Sequence, residues 1–255
     1  MLKKTGILFS LLTGFVVSFC NPAKDMPQVE PITHEQWDSL LKRYVSADGL
    51  VNYTGFVKDS IALQSYLQLL SNNPPQKSWS DEERLAYWIN AYNAFTVKLI
   101  VDHYPVKSIK DIKKGIPFIN SVWDIKFFKI GKQSYDLNKI EHGIIRKKFQ
   151  EPRIHFAINC ASISCPALAS EAYASDRLDM QLERAARSFI NDPLRNKISV
   201  GAVSISKIFS WFSGDFKKKA PNVIDFINRY AEVPISEGVD IDYLDYNWQL
   251  NEADL

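Results

Sequence analysis

Apolar residues recur every three or four positions in several stretches of the chain, which is typical of helices that bury one face. The longest such stretch follows Ser80, and Glu83 stands three residues later in the pattern of a capping box. It predicts a helix that reaches about His103 and stops before Pro105. Shorter helices are predicted at residues 34–45, 59–70, 137–149, 176–190, 206–212 and 221–230.

Other stretches alternate apolar and polar residues, as strands with one buried face do. Such strands or hairpins are predicted at residues 50–54, 123–135, 198–205 and 239–248. Between residues 153 and 159, three large apolar residues alternate with four others. The first set is Ile154, Phe156 and Ile158, and the second set is Arg153, His155, Ala157 and Asn159. A strand here would direct the first set to the core and carry the second set on a polar face. Helices and strands are mixed without a regular βαβ alternation. We therefore predict an α+β fold with a long central helix packed on a mostly antiparallel sheet.

The first residues have the composition of a secretory signal. Lys3 and Lys4 precede an apolar run of roughly a dozen residues, too short for a helix to span a membrane. Cys20 then stands where a bacterial lipobox places its lipidated cysteine, although Phe19 is larger than the residue usual before that cysteine. Simple secretion, an uncleaved anchor and a buried helix are the alternatives.

This pattern sets the expected organisation of the chain. Residues 1–19 are predicted to be a signal peptide, Cys20 to be lipidated, residues 20–32 to be a tether, and residues 33–255 to form one domain. The protein is then exported to the bacterial cell envelope, as an outer-membrane lipoprotein or in the periplasm. It would contact the membrane only through its N-terminal lipid anchor.

Composition and charge narrow the class of protein. The 255 residues are 46% hydrophobic and 13% aromatic, which is ample for a buried core. Removing Lys3 and Lys4 with the leader leaves 29 basic residues against 29 acidic ones, so the mature chain is neutral before its histidines are counted. A neutral chain gives no indication of nucleic-acid binding.

Two asparagines stand out in the long helix predicted after Ser80. Asn90 and Asn93 are three residues apart and share a stripe with small and apolar residues. Asparagine is a poor helix former because its amide competes for backbone hydrogen bonds, and a buried amide needs partners. The two amides could belong to a functional site, or they could bond to neighbouring loop backbone and hold the fold together.

A second group of polar residues follows. Glu141 and His142 lie in a predicted helix, Arg153 and His155 lie on the polar face of the predicted strand, and Cys160 and Cys165 come directly after it. Several titratable groups so close in sequence indicate a candidate site. The candidate catalytic residues are His155, Cys165 and Asn90, and the candidate binding residues are Asn93, Arg153, Glu141 and His142. We expect Asn90, Asn93, Arg153 and His155 to converge on one partly buried pocket.

The cysteine pair has three interpretations. If Cys20 is lipidated, Cys160 and Cys165 are the only thiols left in an oxidising compartment, which favours a disulfide between them. Alternatively, one thiol is a nucleophile activated by His155, or the pair is a reversible redox couple. Metal binding is the weakest interpretation because the spacing of the cysteines is wider than in zinc knuckles and no second pair exists. Neither a metal nor a cofactor is expected.

The chain resembles a known family over nearly the whole expected mature region, from about residue 37 to residue 252. The stretches that carry the resemblance are "AYWINAYNAFTVKLI", "LNKIEHGIIR", "PRIHFAINCASISCPAL", "SISKIFSWFSGDF" and "YLDYNWQLN". They are similar to the family called domain of unknown function 547. The fusion of some eukaryotic members to glutaredoxin-like modules implies an association with redox chemistry.

The mixture of helices and strands around one long helix also resembles papain-like and transglutaminase-like folds. In those folds the nucleophile stands at the start of the long helix, whereas this helix starts at Ser80 and Asp81. Three functional classes therefore stay open. The protein is a thiol- or His-dependent hydrolase or transferase, a non-catalytic binding lipoprotein, or a thiol-redox accessory protein. In each case the partner is an unidentified small molecule or envelope polymer.

Overall fold

The computed structural model describes residues 1–2, 30–112, 121–199 and 201–253. Apart from residues 1–2 and 30–32, the predicted signal peptide, the predicted lipidation site Cys20 and the predicted tether lie outside these ranges. Among the helices in the described ranges, none has both the length and the apolar composition needed to cross a membrane.

The described residues form nine α-helices. Their bounds are α1 Glu35–Tyr44, α2 Tyr53–Lys58, α3 Ser60–Asn72, α4 Asp81–Val101, α5 Arg146–Lys148, α6 Leu178–Ile190, α7 Ile208–Trp211, α8 Ser213–Phe216 and α9 Val223–Asn228. The extended segment predicted at residues 50–54 is wrong in its second half, because α2 begins at Tyr53. The side chain of Asn52 accepts a hydrogen bond from the backbone N–H of Gly55 at 2.6 Å and so caps this helix.

Helix α4 begins with the capping box that the sequence predicts. The backbone N–H of Glu83 donates to Oγ of Ser80 at 3.1 Å, and the backbone N–H of Ser80 donates to Oε2 of Glu83 at 2.7 Å. From Leu85 to Ile100 every residue except Lys98 is buried. A helix buried on all sides lies inside the structure rather than at its surface.

The strands form two small sheets among the described residues. Their bounds are β1 Phe128–Ile130, β2 Gln133–Tyr135, β3 Lys197–Ile198, β4 Val203–Ile205 and β5 Ile241–Tyr243. Strands β1 and β2 form the predicted hairpin, which turns at Gly131 with a positive φ of 58°. In the other sheet, β3 pairs with β4 antiparallel and β4 pairs with β5 parallel. The α+β class is confirmed. The described strands form two sheets instead of the one predicted sheet, and two of their three strand pairs are antiparallel.

The strand predicted at residues 153–159 is also wrong, because Pro152–Phe156 is a 3₁₀-helix. Pro152 fixes a φ suited to a first helical position, and Oε1 of Glu151 accepts from the backbone N–H of Arg153 at 3.0 Å. Every residue from Ile154 to Asn159 is buried, so the segment has no polar face. The alternation in the sequence therefore does not reflect a two-residue structural period.

The 3₁₀-helix lies between two apolar clusters. Ile154 belongs to a cluster that includes the buried residues of α1 to α4, and Phe156 belongs to a second cluster built from α6, β4 and α7 to α9. The Phe156 ring stacks on Phe189 and Phe216, with centroids 5.1 and 5.8 Å away. His155 stands between these two residues and is buried where the clusters meet.

Candidate functional site

A cavity of about 210 Å³ opens beside this junction. It brings together residues from α4, the segment before α5, the two cysteines with neighbouring residues, α7 and the C-terminal segment. The lining residues are Tyr92, Trp123, Asn138, Glu141, His142, His155, Ile158, Cys160, Cys165, Pro166, Ile208, Trp211, Phe212, Tyr246 and Trp248.

A π-helical segment, Lys139–Ile145, places two of the predicted site residues in this cavity. The segment begins where Oδ1 of Asp136 accepts from the backbone N–H of Lys139 at 2.7 Å. The sequence predicts a helix here but not its wider turn. Such turns occur often at functional sites because they change the direction of the side chains they carry. Glu141 is buried, whereas the side chain of His142 is partly exposed.

Glu141 is a buried carboxyl group at the cavity wall. Its Oε2 accepts a hydrogen bond from the Tyr92 hydroxyl at 3.4 Å, and its Oε1 lies 3.9 Å from Nδ1 of His142. Burial raises the pKa of Glu141 to about 7, while the Arg146 charge and the Tyr92 hydrogen bond act in the opposite direction. Burial also lowers the pKa of His142. Glu141 is therefore able to accept and release a proton near neutral pH.

His155 forms a pair with a residue that sequence reasoning missed. Nε2 of His155 lies 2.9 Å from Oδ2 of Asp215. The same carboxylate accepts from Nε of Arg146 at 2.5 Å and from Nζ of Lys218 at 2.9 Å. The hydrogen bond from His155 is the largest cause that holds the pKa of Asp215 well below its usual range.

The imidazole of His155 is neutral at neutral pH. Burial lowers its pKa to about 4, although Asp215 acts in the opposite direction. Because Nε2 faces an ionised carboxylate, the proton of the neutral ring is on Nε2 and Nδ1 carries a lone pair. The ring stacks on Phe212 with centroids 3.9 Å apart. Nδ1 is buried and has no hydrogen-bond partner among the described residues, so His155 is not paired with a cysteine sulfur.

The two cysteines lie at the same cavity, and the predicted disulfide between Cys160 and Cys165 is confirmed. Their Cα atoms are 6.2 Å apart. Cys165 is buried, whereas Cys160 is half-buried. Sγ of Cys165 accepts from the backbone N–H of Cys160 at 3.0 Å and from the Tyr246 hydroxyl at 3.2 Å. The Tyr246 oxygen also lies 3.5 Å from Sγ of Cys160.

The loop that carries the disulfide also forms hydrogen bonds with residues elsewhere in the chain. Nε of Arg195 donates to the backbone carbonyl of Cys165 at 2.6 Å. The backbone N–H of Ile163 donates to the carbonyl of Gln249 at 2.9 Å. Opening the disulfide would therefore leave the loop attached to two other parts of the chain.

The predicted convergence of Asn90, Asn93, Arg153 and His155 on one pocket is wrong. Only His155 of these four lines the cavity. Arg153 instead pairs with the carboxylates of Glu151 and Asp179, both at 2.8 Å. A 3₁₀-helix directs its side chains to several sides, which removes the shared polar face on which the prediction depended.

The amides of Asn90 and Asn93 bond to backbone, as the structural alternative predicts. Asn90 donates to the carbonyl of Tyr173 at 2.8 Å and accepts from its N–H at 3.0 Å. Asn93 donates to the carbonyl of Ala157 at 2.9 Å and accepts from the N–H of Asn159 at 2.9 Å. Asn93 therefore fixes the backbone between His155 and Cys160, although its side chain does not line the cavity.

Three residues of the site were not identified from the sequence, namely Asp215, which is the partner of His155, and Tyr246 and Trp248, which line the cavity. Asp215 lies in the quoted stretch "SISKIFSWFSGDF", and Tyr246 and Trp248 lie in "YLDYNWQLN". Their presence in these stretches was the available signal, but no local pattern joined them to the cysteines. In the described part of the chain, His, Cys, Asp and Glu side chains do not form groups of three or more suited to a metal ion.

Comparison with known proteins gives one result. Residues 76–190 match the family described as "Protein of unknown function, DUF547". This range includes α4, the π-helical segment, the 3₁₀-helix and both cysteines. Searches of curated proteins and of solved structures found no match. The chain therefore resembles the DUF547 family through residues 76–190.

Proposed function

We propose that the protein carries out thiol–disulfide exchange in the cavity, with Cys160 and Cys165 as the reacting pair. The main observation in support of this proposal is that two hydrogen-bond donors contact the same sulfur atom. The Cys160 N–H and the Tyr246 O–H both point at Sγ of Cys165. Hydrogen bonds to a sulfur stabilise its thiolate more than its neutral form, so these donors favour Cys165 as the leaving group.

The proposed reaction starts at the more accessible sulfur. A thiolate of a dithiol substrate attacks Sγ of Cys160, a sulfur–sulfur bond forms to the substrate, and the Cys160–Cys165 bond breaks. The electron pair of that bond stays on Sγ of Cys165. The second thiolate of the substrate then attacks the substrate sulfur that is bonded to Cys160. This closes the substrate disulfide and releases Cys160.

The proposed exchange is balanced in atoms and electrons. The substrate dithiol is oxidised to a disulfide, the protein disulfide is reduced to two thiols, and the two substrate protons end on Cys160 and Cys165. Glu141 lines the same cavity and titrates near neutral pH, so we assign it the transfer of these protons. The reverse reaction, with a disulfide of another carrier, restores the starting state.

The geometry favours exchange over a His-activated hydrolase or transferase. In such an enzyme the imidazole accepts the proton of the nucleophilic thiol. Here Nε2 of His155 bonds to Asp215, and Nδ1 has no partner within the described residues. A papain-like or transglutaminase-like arrangement is a further hypothesis about the fold. Such enzymes place a cysteine nucleophile at the start of the long helix, whereas α4 starts at Asp81 after its cap Ser80. We assign no mechanistic step to that arrangement.

We also propose that the protein acts in the cell envelope, anchored by a lipid on Cys20. The proposal is supported by the order of basic, apolar and cysteine residues at the N-terminus. Metabolic labelling with a palmitate analogue should mark the wild-type protein and leave Cys20→Ala unmarked. Equal labelling of both would contradict lipidation at this residue.

The exchange proposal is tested by trapping the mixed disulfide. Cys165→Ser leaves the half-buried Cys160 free, and Cys160→Ser leaves the buried Cys165 free. With a disulfide such as oxidised glutathione, we expect the folded Cys165→Ser protein to form the mixed disulfide at least tenfold faster, measured by intact mass. The wild-type disulfide should also equilibrate with a dithiol under native conditions. If it is reduced only after denaturation, the pair is structural and the proposal fails.

A further inference from the structure

Aromatic rings make up much of the cavity wall. Six of the lining residues are aromatic, namely Tyr92, Trp123, Trp211, Phe212, Tyr246 and Trp248. Tyr246 stands in the middle of a continuous group, with its ring centroid 4.5 Å from Trp248 and 4.8 Å from Trp211. Trp211 is 47% exposed, so this group reaches the surface. The electron-rich faces of such rings attract positive charge.

Two of these rings already hold a cation from the chain itself. Nζ of Lys110 lies 3.5 Å from the ring centroid of Trp248. Cζ of Arg146 lies 4.8 Å from the ring centroid of Phe212. Both distances are within the range of a cation–π interaction. Neither cation lines the cavity, so these two contacts leave the cavity itself without a cation from Lys110 or Arg146.

The carboxylate in the cavity has no strong cationic partner. Among the described residues, no Lys or Arg nitrogen lies within 4.0 Å of Glu141, and the nearest basic nitrogen is Nδ1 of His142 at 3.9 Å. The cations of Arg146 and Lys218 are both bound to Asp215. A buried carboxylate without a cation in direct contact is costly, and a cation in the cavity would reduce that cost beyond what the more distant Arg146 charge does.

We propose that the cavity binds a small organic cation, an alkylammonium or quaternary ammonium head group, with the aromatic rings around it and Glu141 as its counter-ion. A volume of about 210 Å³ suits a head group better than a whole drug-sized ligand. A neutral ligand, such as a sugar ring, would stack on the same rings but would bring no cation into contact with Glu141. The proposal concerns binding and does not depend on thiol–disulfide exchange.

Binding of a cation should depend on pH. The charged and titratable groups around Glu141 are Tyr92 on α4, His142 and Arg146 beyond it, Asp215 on α8 and Tyr246 on the C-terminal segment. A bound cation favours the ionised form of Glu141, so binding near pH 7 should release protons. We therefore expect the affinity to rise between about pH 6 and pH 8.

The test compares choline with 3,3-dimethylbutanol, which has the same shape but no charge. Calorimetric titration uses the oxidised full chain with no thiol present, so its result is independent of the exchange reaction. We expect choline to bind at least tenfold more tightly than the alcohol. Equal affinities would show an apolar pocket only, and no saturable choline binding in the millimolar range would also overturn the proposal.

Two variants test the assignment of residues. Glu141→Gln keeps the size of the side chain and should weaken choline binding at least tenfold, with little change for the alcohol. Trp248→Leu should weaken choline binding through the loss of a ring face. Glu183→Gln removes a carboxylate outside the cavity and is the matched control. If Glu141→Gln and Glu183→Gln bind choline equally well, Glu141 is not the counter-ion.

Discussion

Nε2 of the buried His155 lies 2.9 Å from Oδ2 of Asp215, a residue sixty positions further along the chain. The contact joins the 3₁₀-helix between the two apolar clusters to α8. Arg146 brings the segment after the π-helical turn to the same carboxylate. His155 is therefore held as a neutral, oriented ring at the cavity wall, and neither of its ring nitrogens is bonded to a cysteine sulfur.

Asp215→Asn should destabilise the fold by about 3 kcal/mol, because it leaves Arg146 and Lys218 without their shared carboxylate at a partly buried site. Urea unfolding measures the change. The control is Asp179→Asn, which removes the exposed partner of Arg153. It should cost less than about 1 kcal/mol. Equal losses in the two variants would contradict the role assigned to Asp215.

His155 should make the fold sensitive to acid. Because burial lowers its pKa from 6.5 to about 4, the folded chain binds fewer protons at this residue than the unfolded chain between those values. The contribution to stability is complete above pH 6.5 and is lost as the pH falls toward 4. His155→Gln should remove this part of the pH dependence, although it costs stability at pH 7. Unfolding curves for both proteins across this window are the measurement, and parallel pH profiles would refute the assignment.

Glu141 should make the fold less stable as the pH rises, which is opposite to the effect of His155. Burial raises its pKa from 4.5 to about 7, so the folded chain binds more protons here than the unfolded chain, and stability falls as the pH rises through this window. At pH 8, Glu141→Gln should be more stable than the wild type by on the order of 3 kcal/mol. The difference should shrink toward pH 4.5. A difference that does not vary with pH would mean that Glu141 does not titrate in this range.

Tyr246→Phe should slow the reaction of Cys165 with reagents that attack thiolates. The substitution removes the hydroxyl that lies 3.2 Å from Sγ of Cys165 and keeps the ring. A hydrogen bond to a charged group contributes roughly 1.5–3 kcal/mol, so the rate at neutral pH should fall about tenfold or more. Alkylation by iodoacetamide in a Cys160→Ser background measures this rate. Tyr243→Phe, at an exposed tyrosine of β5, is the control and should leave the rate unchanged.

The sequence by itself determined the features that depend on near neighbours. The capping box of Ser80 and Glu83, the pair that closes the hairpin turn at Gly131 and the Cys160–Cys165 pair each join residues three to five positions apart. The composition of such short segments sets their geometry, because the interacting groups are close in any compact conformation. These predictions needed no knowledge of the rest of the fold.

The alternation of apolar and polar residues gave a wrong prediction where it is compatible with both a strand and a 3₁₀-helix. The alternation of Ile154, Phe156 and their neighbours is compatible with a strand, but Pro152 and the carboxylate of Glu151 favour a 3₁₀-helix. The choice was decided by burial on both sides, since Ile154 packs in one cluster and Phe156 in the other. Burial of this kind depends on elements that are distant in sequence, so periodicity alone does not reveal it.

Only the tertiary structure decided which polar residues meet. Asn90 and Asn93 were candidate residues of the functional site because they are polar residues on an otherwise apolar helix. Their amides instead bond to the backbone of Tyr173 and of residues 157 and 159. Asp215 and Tyr246 had no local signal, yet they contact His155 and Cys165 across 60 and 81 positions. The physical reason is that each buried polar group must find a partner, and packing of the two apolar clusters determines which partner is within reach.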